Sequence, residues 1–379
     1  MSQTFILAPD SFKESMTAKE VVVAMSKGIR QVFPDATIHH VPLADGGEGT
    51  LDVISEHADY EKVTRHVMGP FFDEVVPATF LYNQKTKVAV LELAQTSGLE
   101  LVAKVKRTPL TTTTFGTGQC VLEAVKLGAK KIILAVGGSA THDLGFGILQ
   151  ALGVRFFTKQ YVQIPNGRLQ LSKIDTLSSE TIDPRIKHLE FIVASDVENP
   201  LCGIQGAAHV FAKQKGATAS EILQLEKETV RLAQTFNQKH NDYLQTAGMG
   251  AAGGILFGLS LVNERCRRIS GIDWVLDEVN LERYVTKDTI VFTGEGKIDY
   301  QTEKGKVIAG VIQRLTTHQI PILAFGGSVE KDLDLIGITA CFSIIPAPTS
   351  LKEALRDGPD NLAYTVEQVC RILAFINKK

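Results

Sequence analysis

The chain has 379 residues, 44% of them hydrophobic and 22% charged, with a formal net charge of −2. This is ordinary for a soluble globular protein of one to three domains, and it carries no general attraction to nucleic acid or to an acidic membrane. The five scattered cysteines include no C-x-x-C pair, which speaks against structural zinc and a disulfide framework and fits a reducing cytoplasm.

In chain order, MSQTFILAPDS lacks a basic leader region and reads as a first strand rather than a signal peptide. FILA (5–8) runs into PDSFK and then a helix from about Thr17. There Thr17 and Glu20 have the spacing of a capping box, and Val21, Met25, Ile29 and Phe33 fall on one stripe. The segment from Ile38 to Val41 leads to PLADGGEGT and a helix, LDVISEH. His39 and His40 should face opposite sides of a strand, and none of the nine histidines has metal-binding spacing. Residues 63–107, rich in Val, Thr and Phe, predict antiparallel strands. IILAV (132–136) and FIVA (191–194) return to strand followed by loop, around a polar, turn-rich stretch at 158–188. A helix from Thr218, capped through Glu221, is expected to reach about His240. Arg265, Arg267 and Arg268 could meet a carboxylate but read first as a solvated helix face, Gly248–Gly254 as a close helix approach before a phosphate contact, and Trp274 as core packing. Near the end TIVF leads into TGEGK and the helix KVIAGVIQRL, PILAF into GGS, and ACFSII into PAPTS. Ser350 with Glu353, and Thr365 with Gln368, predict two more helix starts. No apolar run is long enough to span a bilayer.

Strands alternating with helices argue for α/β architecture with a parallel sheet. The expected fold is a Rossmann-like parallel-sheet domain with a second α/β domain inserted into it and a cleft between them. Residues 1–62 and 286–379 would build the first, and 63–285 the insert. Ligands of open parallel sheets bind beyond the carboxyl ends of the strands. Pro9–Lys13, Asp45–Thr50, Thr293–Lys297, Gly326–Ser328, Gly137–Asp143 and Ser195–Leu201 should therefore be rim loops. Glycines let backbone N–H groups approach phosphate, lysines supply charge, and carboxylates among them call for a hard cation. The mixture suggests a magnesium–nucleotide complex and phosphoryl transfer. Neither G-x-x-x-x-G-K-[ST] nor a dinucleotide-binding G-x-G-x-x-G is present at a suitable place.

Several long segments carry a more specific signal: APDSFK (8–13), PLADGGEGT (42–50), ELAQTSGL (92–99), TTTFGTGQ (112–119), GGSAT (137–141), SDVENPL (195–201), GMGAAGGIL (248–256) and FTGEGKID-x-QT-x-x-GK (292–306). In this order and spacing the chain resembles the type 1 glycerate kinase family along nearly its whole length. The resemblance implies ATP-dependent phosphorylation of D-glycerate with Mg²⁺, at the 2-hydroxyl in bacterial members. It implies no nucleic-acid or membrane partner, and homo-oligomerisation is compatible with it. Glu14, His142, Leu144, Ala212-Lys213 and Tyr300 depart from the usual pattern, where glycine, asparagine, glycine, Gly-Pro and glycine are common. His142 and Leu144 bear on substrate choice, so a kinase for another small hydroxy or sugar acid is the alternative. A non-catalytic metabolite-binding relative is a third reading.

Asp196, directly after a strand and backed by Asn199 and Pro200, is the first candidate for general base or metal-linked acid; its plain alternative is an Asx turn. Asp45 and Glu48 are candidates for Mg²⁺, against helix capping. Lys13 is a candidate for the γ-phosphate or the glycerate carboxylate, with Ser11 beside it. Ser139 and Thr141, with Gly137-Gly138, form a candidate anion nest, against a tight turn. Gly294 and Gly296 would offer amides to phosphate and Lys297 and Lys306 charge, with Glu295 or Asp299 on metal or ribose. Gln301-Thr302 would serve equally as a helix cap.

Overall fold

Short apolar runs without internal alternation form strands buried on both faces, and the first run of the chain does so. The computed structural model describes residues 3–57, 59–236, 241–300, 302, 306–331, 333 and 335–376. β1 (Thr4–Leu7), buried throughout, is followed by α1 (Ala18–Arg30), β2 (Thr37–His40) and α2 (Thr50–His57). Next come β3 (Glu61–Met68), β4 (Val75–Asn83), β5 (Val88–Glu92), α3 (Ala94–Ser97), α4 (Phe115–Lys126), β6 (Lys131–Ala135) and α5 (Phe146–Ala151). β7 (Arg155–Phe157) and β8 (Thr176–Ser178) form a small separate pair, before β9 (Glu190–Ala194), α6 (Ala207–Phe211), α7 (Ala219–Phe236), α8 (Ile255–Ser260), β10 (Cys266–Ile269) and α9 (Gly271–Val279). β11 (Thr289–Ile298), α10 (Val307–Leu315), β12 (Ile322–Val329), β13 (Ala340–Ser343), α11 (Leu351–Arg356) and α12 (Gly358–Ile376) complete the chain.

The contacts divide the chain into two compact units: Met1–Asp45 with Asp52–Ala58 and Ile272–Lys379, and Gly46–Leu51 with Asp59–Gly271. These bounds differ from a division at 62/63 and 285/286 for local reasons. α9 belongs with the first unit because Arg314 of α10 pairs with its Asp277 at 2.7 Å. The turn 46–51 belongs with the second because Leu51 N donates to Glu92 Oε1 at 2.7 Å and Gly137 N to Gly46 O at 3.3 Å.

In the first unit the sheet order is β13-β12-β11-β1-β2, with every pair parallel. The chain runs outward from β1 to β2 on one side and from β11 to β13 on the other, so the switch point lies between β1 and β11. Phe5, Phe292 and Phe325 stack through the sheet's core against Met25, Leu362 and Val366 of α1 and α12. Each such ring is worth roughly 2–3 kcal/mol of apolar burial. The second unit has the order β10-β9-β6-β5-β4-β3, in which β4 alone runs opposite to the other strands. Its core centres on Phe80, Phe146, Phe156, Phe191 and Phe257.

The capping boxes at Thr17, Thr218 and Ser350 form as their spacing requires. Thr365 does not start a helix; it lies inside α12 and its hydroxyl donates back to Asn361 O. The strand-rich reading of 63–107 holds only to Glu92, because Leu93 N closes the ladder on Ala135 O and short helical turns follow. Arg265–Arg268 meets strand β10 rather than a helix. TGEGK and GGS are not loops: Gly294 pairs with Phe325 and Lys297 with Ser328 as β11 and β12 run on together. The end expected near His240 lies outside the described residues; α7 is described to Phe236. No described helix is long and apolar enough to cross a membrane.

Candidate active site

At the switch point of the first unit, the exit of β1 lies along the extended end of β11. Asp10 N donates to Gly294 O at 2.9 Å and Thr293 Oγ1 to Ala8 O at 2.8 Å. The exit of β2 is drawn to the same place by Leu43 N donating to Pro9 O at 2.9 Å. The glycines of β11 make this possible. A Cβ on Gly296 would stand 3.4 Å from Lys13 N, and one on Gly294 would come within 2.3 Å of Phe325 O. Close backbone packing thus requires glycine at 294, whereas a Cβ at 296 would make an ordinary contact, and Gly294 and Gly296 present strand rather than loop backbone.

Asp10, Asp45 and Glu295 thereby share one neighbourhood with Lys13. Burial, then the charges of Asp45 and Glu295, push the Asp10 carboxyl up to about 7, against Ser11 N, which donates to its Oδ1 at 2.6 Å. Glu295 is buried and clamped: Thr302 Oγ1 donates to Oε1 at 2.6 Å and Lys306 Nζ to Oε2 at 3.1 Å. Lys297 pairs with Asp299 at 2.8 Å. These two lysines neutralise the strand's own acids, while exposed Lys13 forms no ion pair among the described residues. Thr302 also caps locally, donating to Glu295 and accepting from Asp299 N; Gln301 lies outside the described residues. No group of three or more His, Cys, Asp or Glu among the described residues is arranged to hold a metal alone. Mg²⁺ that shares its shell with phosphate oxygens needs only one or two carboxylates, and the Asp10–Asp45 pair fits that requirement.

The second unit collects the remaining candidates at the carboxyl ends of β6 and β9. After β6 the chain turns through Gly137 and exposed Gly138, the latter at φ 72°. Leu99 N donates to Gly138 O and Ala140 N to Ser97 O, both at 2.8 Å, so the ELAQTSGL segment braces this turn. Ser139 is buried, and its Oγ accepts from Lys215 Nζ at 2.8 Å; Lys215 also donates to Thr141 O at 2.7 Å. Burial pushes the Lys215 ammonium down to about 7, opposed by the charge of Asp143. The Thr141 hydroxyl is fully buried without a hydrogen-bond partner. Asp143 accepts from Thr114 N and Oγ1, Gly145 N and Gly147 N, tying the TTTFGTGQ segment to the start of α5. Burial raises its carboxyl all the same.

His142 and Leu144 point inward. His142 Nε2 lies 3.0 Å from Thr229 Oγ1 of α7, and burial beside Lys215 lowers the imidazole to about 3, which keeps it neutral. Leu144 is fully buried at φ 58°, and Glu14 sits at φ 63° in the tight Phe12–Met16 turn of the first unit. Both stand in left-handed backbone, which explains why glycine suits those positions.

After β9, Asp196 Oδ1 accepts from Gly271 N at 3.0 Å, and Arg268 Nη1 donates to Ser195 O and Val197 O. Asn199 Nδ2 donates to Gln205 O and Asn199 O accepts from Gly250 N, so both ends of that residue hold the loop. The stretch 248–254 is a close backbone approach: a Cβ on Gly253 would stand 2.6 Å from His142 Cα. Glu48 is exposed on the 46–51 turn. Ser11, Lys13, Asp45, Gly294, Gly296 and Lys297 thus gather in the first unit; Glu48, Ser139, Thr141, Asp196 and Asn199 belong to the second. Asp10 and Lys215 were not foreseen. Asp10 had a signal, standing beside Pro9 after a strand; Lys215 had none, because only tertiary packing buries it.

Comparison with known proteins matches these motifs to their source. A profile of the Glycerate kinase family matches residues 5–374. The chain is 40% identical over 378 residues to a glycerate kinase of Halalkalibacterium halodurans, covering 99% of this chain and 98% of that one. It is 39% identical over 376 residues to the glycerate 2-kinase of Escherichia coli, 97% of each. The crystal structure of a candidate glycerate kinase 2 from Salmonella typhimurium LT2 is similar with a TM-score of 0.82 and 37% identity, over 100% of both chains.

Proposed function

The chain belongs to the glycerate kinase family, and from that premise we propose that it transfers the γ-phosphoryl group of ATP to the 2-hydroxyl of D-glycerate, giving 2-phosphoglycerate. The observation that carries this reading is the gathering of Asp10, Asp45 and Glu295 with Lys13 at the switch point of a parallel sheet. A carboxyl raised to about 7 by burial first and by neighbouring carboxylates second suits a cation-bound polyphosphate far better than a bare anion.

In this reading Asp10 and Asp45 would hold Mg²⁺, with Glu48 contributing directly or through water. Mg²⁺, when bound, would offset the charge of the phosphate oxygens. Lys13 places its charge on the γ-phosphate or the glycerate carboxylate. Ser11, the Gly294–Gly296 backbone and Lys297 line the phosphate side. Asp196, its carboxylate oriented by Gly271 N, accepts the proton of the attacking hydroxyl. The Gly137–Ser139 turn, braced by Ser97 and Leu99, receives an oxyanion of substrate or nucleotide, with Thr141 and Asn199 as further candidates to bind it. The burial of His142 and Leu144 supports D-glycerate over another hydroxy acid, since neither side chain is exposed. The five cysteines are free thiols, in keeping with work in the cytoplasm.

Phosphorus NMR of the product made from D-glycerate, ATP and Mg²⁺ tests activity, substrate and position together. The expected resonance is that of the 2-phosphate. Turnover of another hydroxy acid with none of D-glycerate would overturn the substrate assignment.

A further inference from the structure

Lys215 is buried at 2% exposure, yet among the described residues it forms no ion pair. Its two hydrogen-bond partners, Ser139 Oγ and Thr141 O, are neutral. The charge that bears on it is that of Asp143, and it is committed elsewhere. Asp143 is spent on four donors from the Thr114 and Gly145–Gly147 backbone and side chain. His142, kept neutral by burial, faces Thr229. An ammonium surrounded by neutral acceptors is costly to keep charged, and a buried charge is normally paired with an opposite one. The geometry shows where an anion would be. Ser139 Oγ accepts from Lys215, so its own proton remains to be donated, and its neighbour Gly138 is exposed backbone in a left-handed turn.

We propose that Lys215 is a positioning residue whose buried ammonium, acting through the Ser139 hydroxyl, supports a carboxylate or phosphate oxyanion seated on the exposed Gly138 backbone. This rests on the reading of that turn as an anion site given above. Hydrogen bonds in such a relay polarise one another, so the anion receives a charge-assisted donor without direct contact with the lysine. The consequence is proton linkage. With the seat empty, burial lowers the ammonium to about 7, so part of the population is neutral under slightly alkaline conditions. An anion on Ser139 restores the charged form, and binding draws a proton from solvent.

The test is calorimetric titration of the intact enzyme at pH 8 in two buffers of different ionisation enthalpy, with D-glycerate, ADP and inorganic phosphate tried separately. Uptake approaching about one proton per ligand is expected for the anion that occupies the seat, by linkage. Uptake with D-glycerate alone identifies a carboxylate seat; uptake with ADP or phosphate alone identifies a phosphate seat. Lys215→Met should abolish the uptake, and Ser139→Ala should weaken the same ligand by roughly 10-fold, the size of one charge-assisted hydrogen bond. If Lys215→Met does not fold, the wild-type protein still decides: the Kd of the seated ligand should rise up to about 10-fold between pH 8 and pH 9. A Kd independent of pH over 7–9, or uptake that survives Lys215→Met, overturns the proposal. Turnover of D-glycerate without any uptake sinks this inference and leaves the kinase reading standing. Proton-linked anion binding without turnover of D-glycerate does the reverse.

Discussion

Asp10 in the first unit and Lys215 in the second carry opposite charges, yet each is displaced to about 7, which makes its charged form harder to keep. Asp10 is half-buried, is repelled by Asp45 and Glu295, and is relieved only in part by Ser11 N and Lys13. Lys215 is fully enclosed among neutral acceptors. One region concentrates like charge at an edge; the other isolates a single charge in the interior. The first arrangement suits a divalent cation with its phosphates, the second a single oxyanion. Both leave the ligand-free protein less stable than it would be with neutral residues, and both return that stability when a ligand binds the folded form.

The sharpest way to break the comparison is Asp10→Asn. If Asp10 faces Mg²⁺ and phosphate, kcat should fall on the order of 10³-fold, the size seen when a pre-organised electrostatic group is lost. The folded protein should nevertheless gain stability above neutral pH. The sign follows from proton counting. The folded carboxyl, raised to about 7, binds more protons than an unfolded one at its ordinary 3.8. Stability therefore falls as pH rises from about 4 to 7, and the asparagine variant escapes that loss. Denaturant melts of both proteins at pH 5 and pH 8, run beside turnover assays, read the two effects. Normal turnover, or a variant less stable than wild type at pH 8, would remove Asp10 from this account.

Lys215 predicts the opposite slope. An unfolded lysine at its ordinary 10.5 binds more protons than the folded one at about 7, so stability should rise with pH across that window. Between pH 7 and pH 9 the rise is expected to be about 2 kcal/mol, at ~1.4 kcal/mol per displaced unit of pH. Urea melts of ligand-free wild type against Lys215→Met measure it directly; a flat wild-type profile, or an equal slope in both proteins, contradicts the burial argument.

These two residues also mark where the sequence stops being informative. The parallel β-α order was legible because apolar runs and capping boxes are local, and β1, α1, β9, α7 and β12 stand close to where periodicity put them. The loops after β1, β2, β6 and β9 were placed by the rule that sites lie at strand carboxyl ends. TGEGK was misread because glycine beside lysine resembles a phosphate loop; only the partner strand β12 reveals that the ladder continues through it. Residues 94–106 were misread because threonine and valine content does not reveal where a ladder ends. Lys215 looked like one more surface lysine, since burial of a long charged side chain is decided by segments 76 and 74 residues away. The departures at Glu14 and Leu144 were visible, but their meaning was not, because a left-handed backbone shows only in three dimensions.

Glu14 and Leu144 extend the comparison to backbone strain. Both occupy positive φ, at 63° and 58°, which costs a non-glycine residue about 1–2 kcal/mol. Leu144 is fully buried, so its strain is offset by packing. Leu144→Gly should lose roughly 2 kcal/mol net, since removing a buried leucine side chain costs ~2–5 kcal/mol before the strain is recovered.

Glu14 is exposed in the Phe12–Met16 turn and has no such compensation. Glu14→Gly relieves the left-handed strain but adds freedom to the unfolded chain, worth about 0.4–1 kcal/mol in the opposite direction. The net gain should therefore be below about 1 kcal/mol, the smallest effect considered. Equilibrium melts at one pH, with turnover measured in parallel, detect it. A loss of stability would mean that the Glu14 side chain contributes more to the turn than its exposure indicates. A gain as large as the loss at Leu144 would mean that strain, rather than packing, governs both positions.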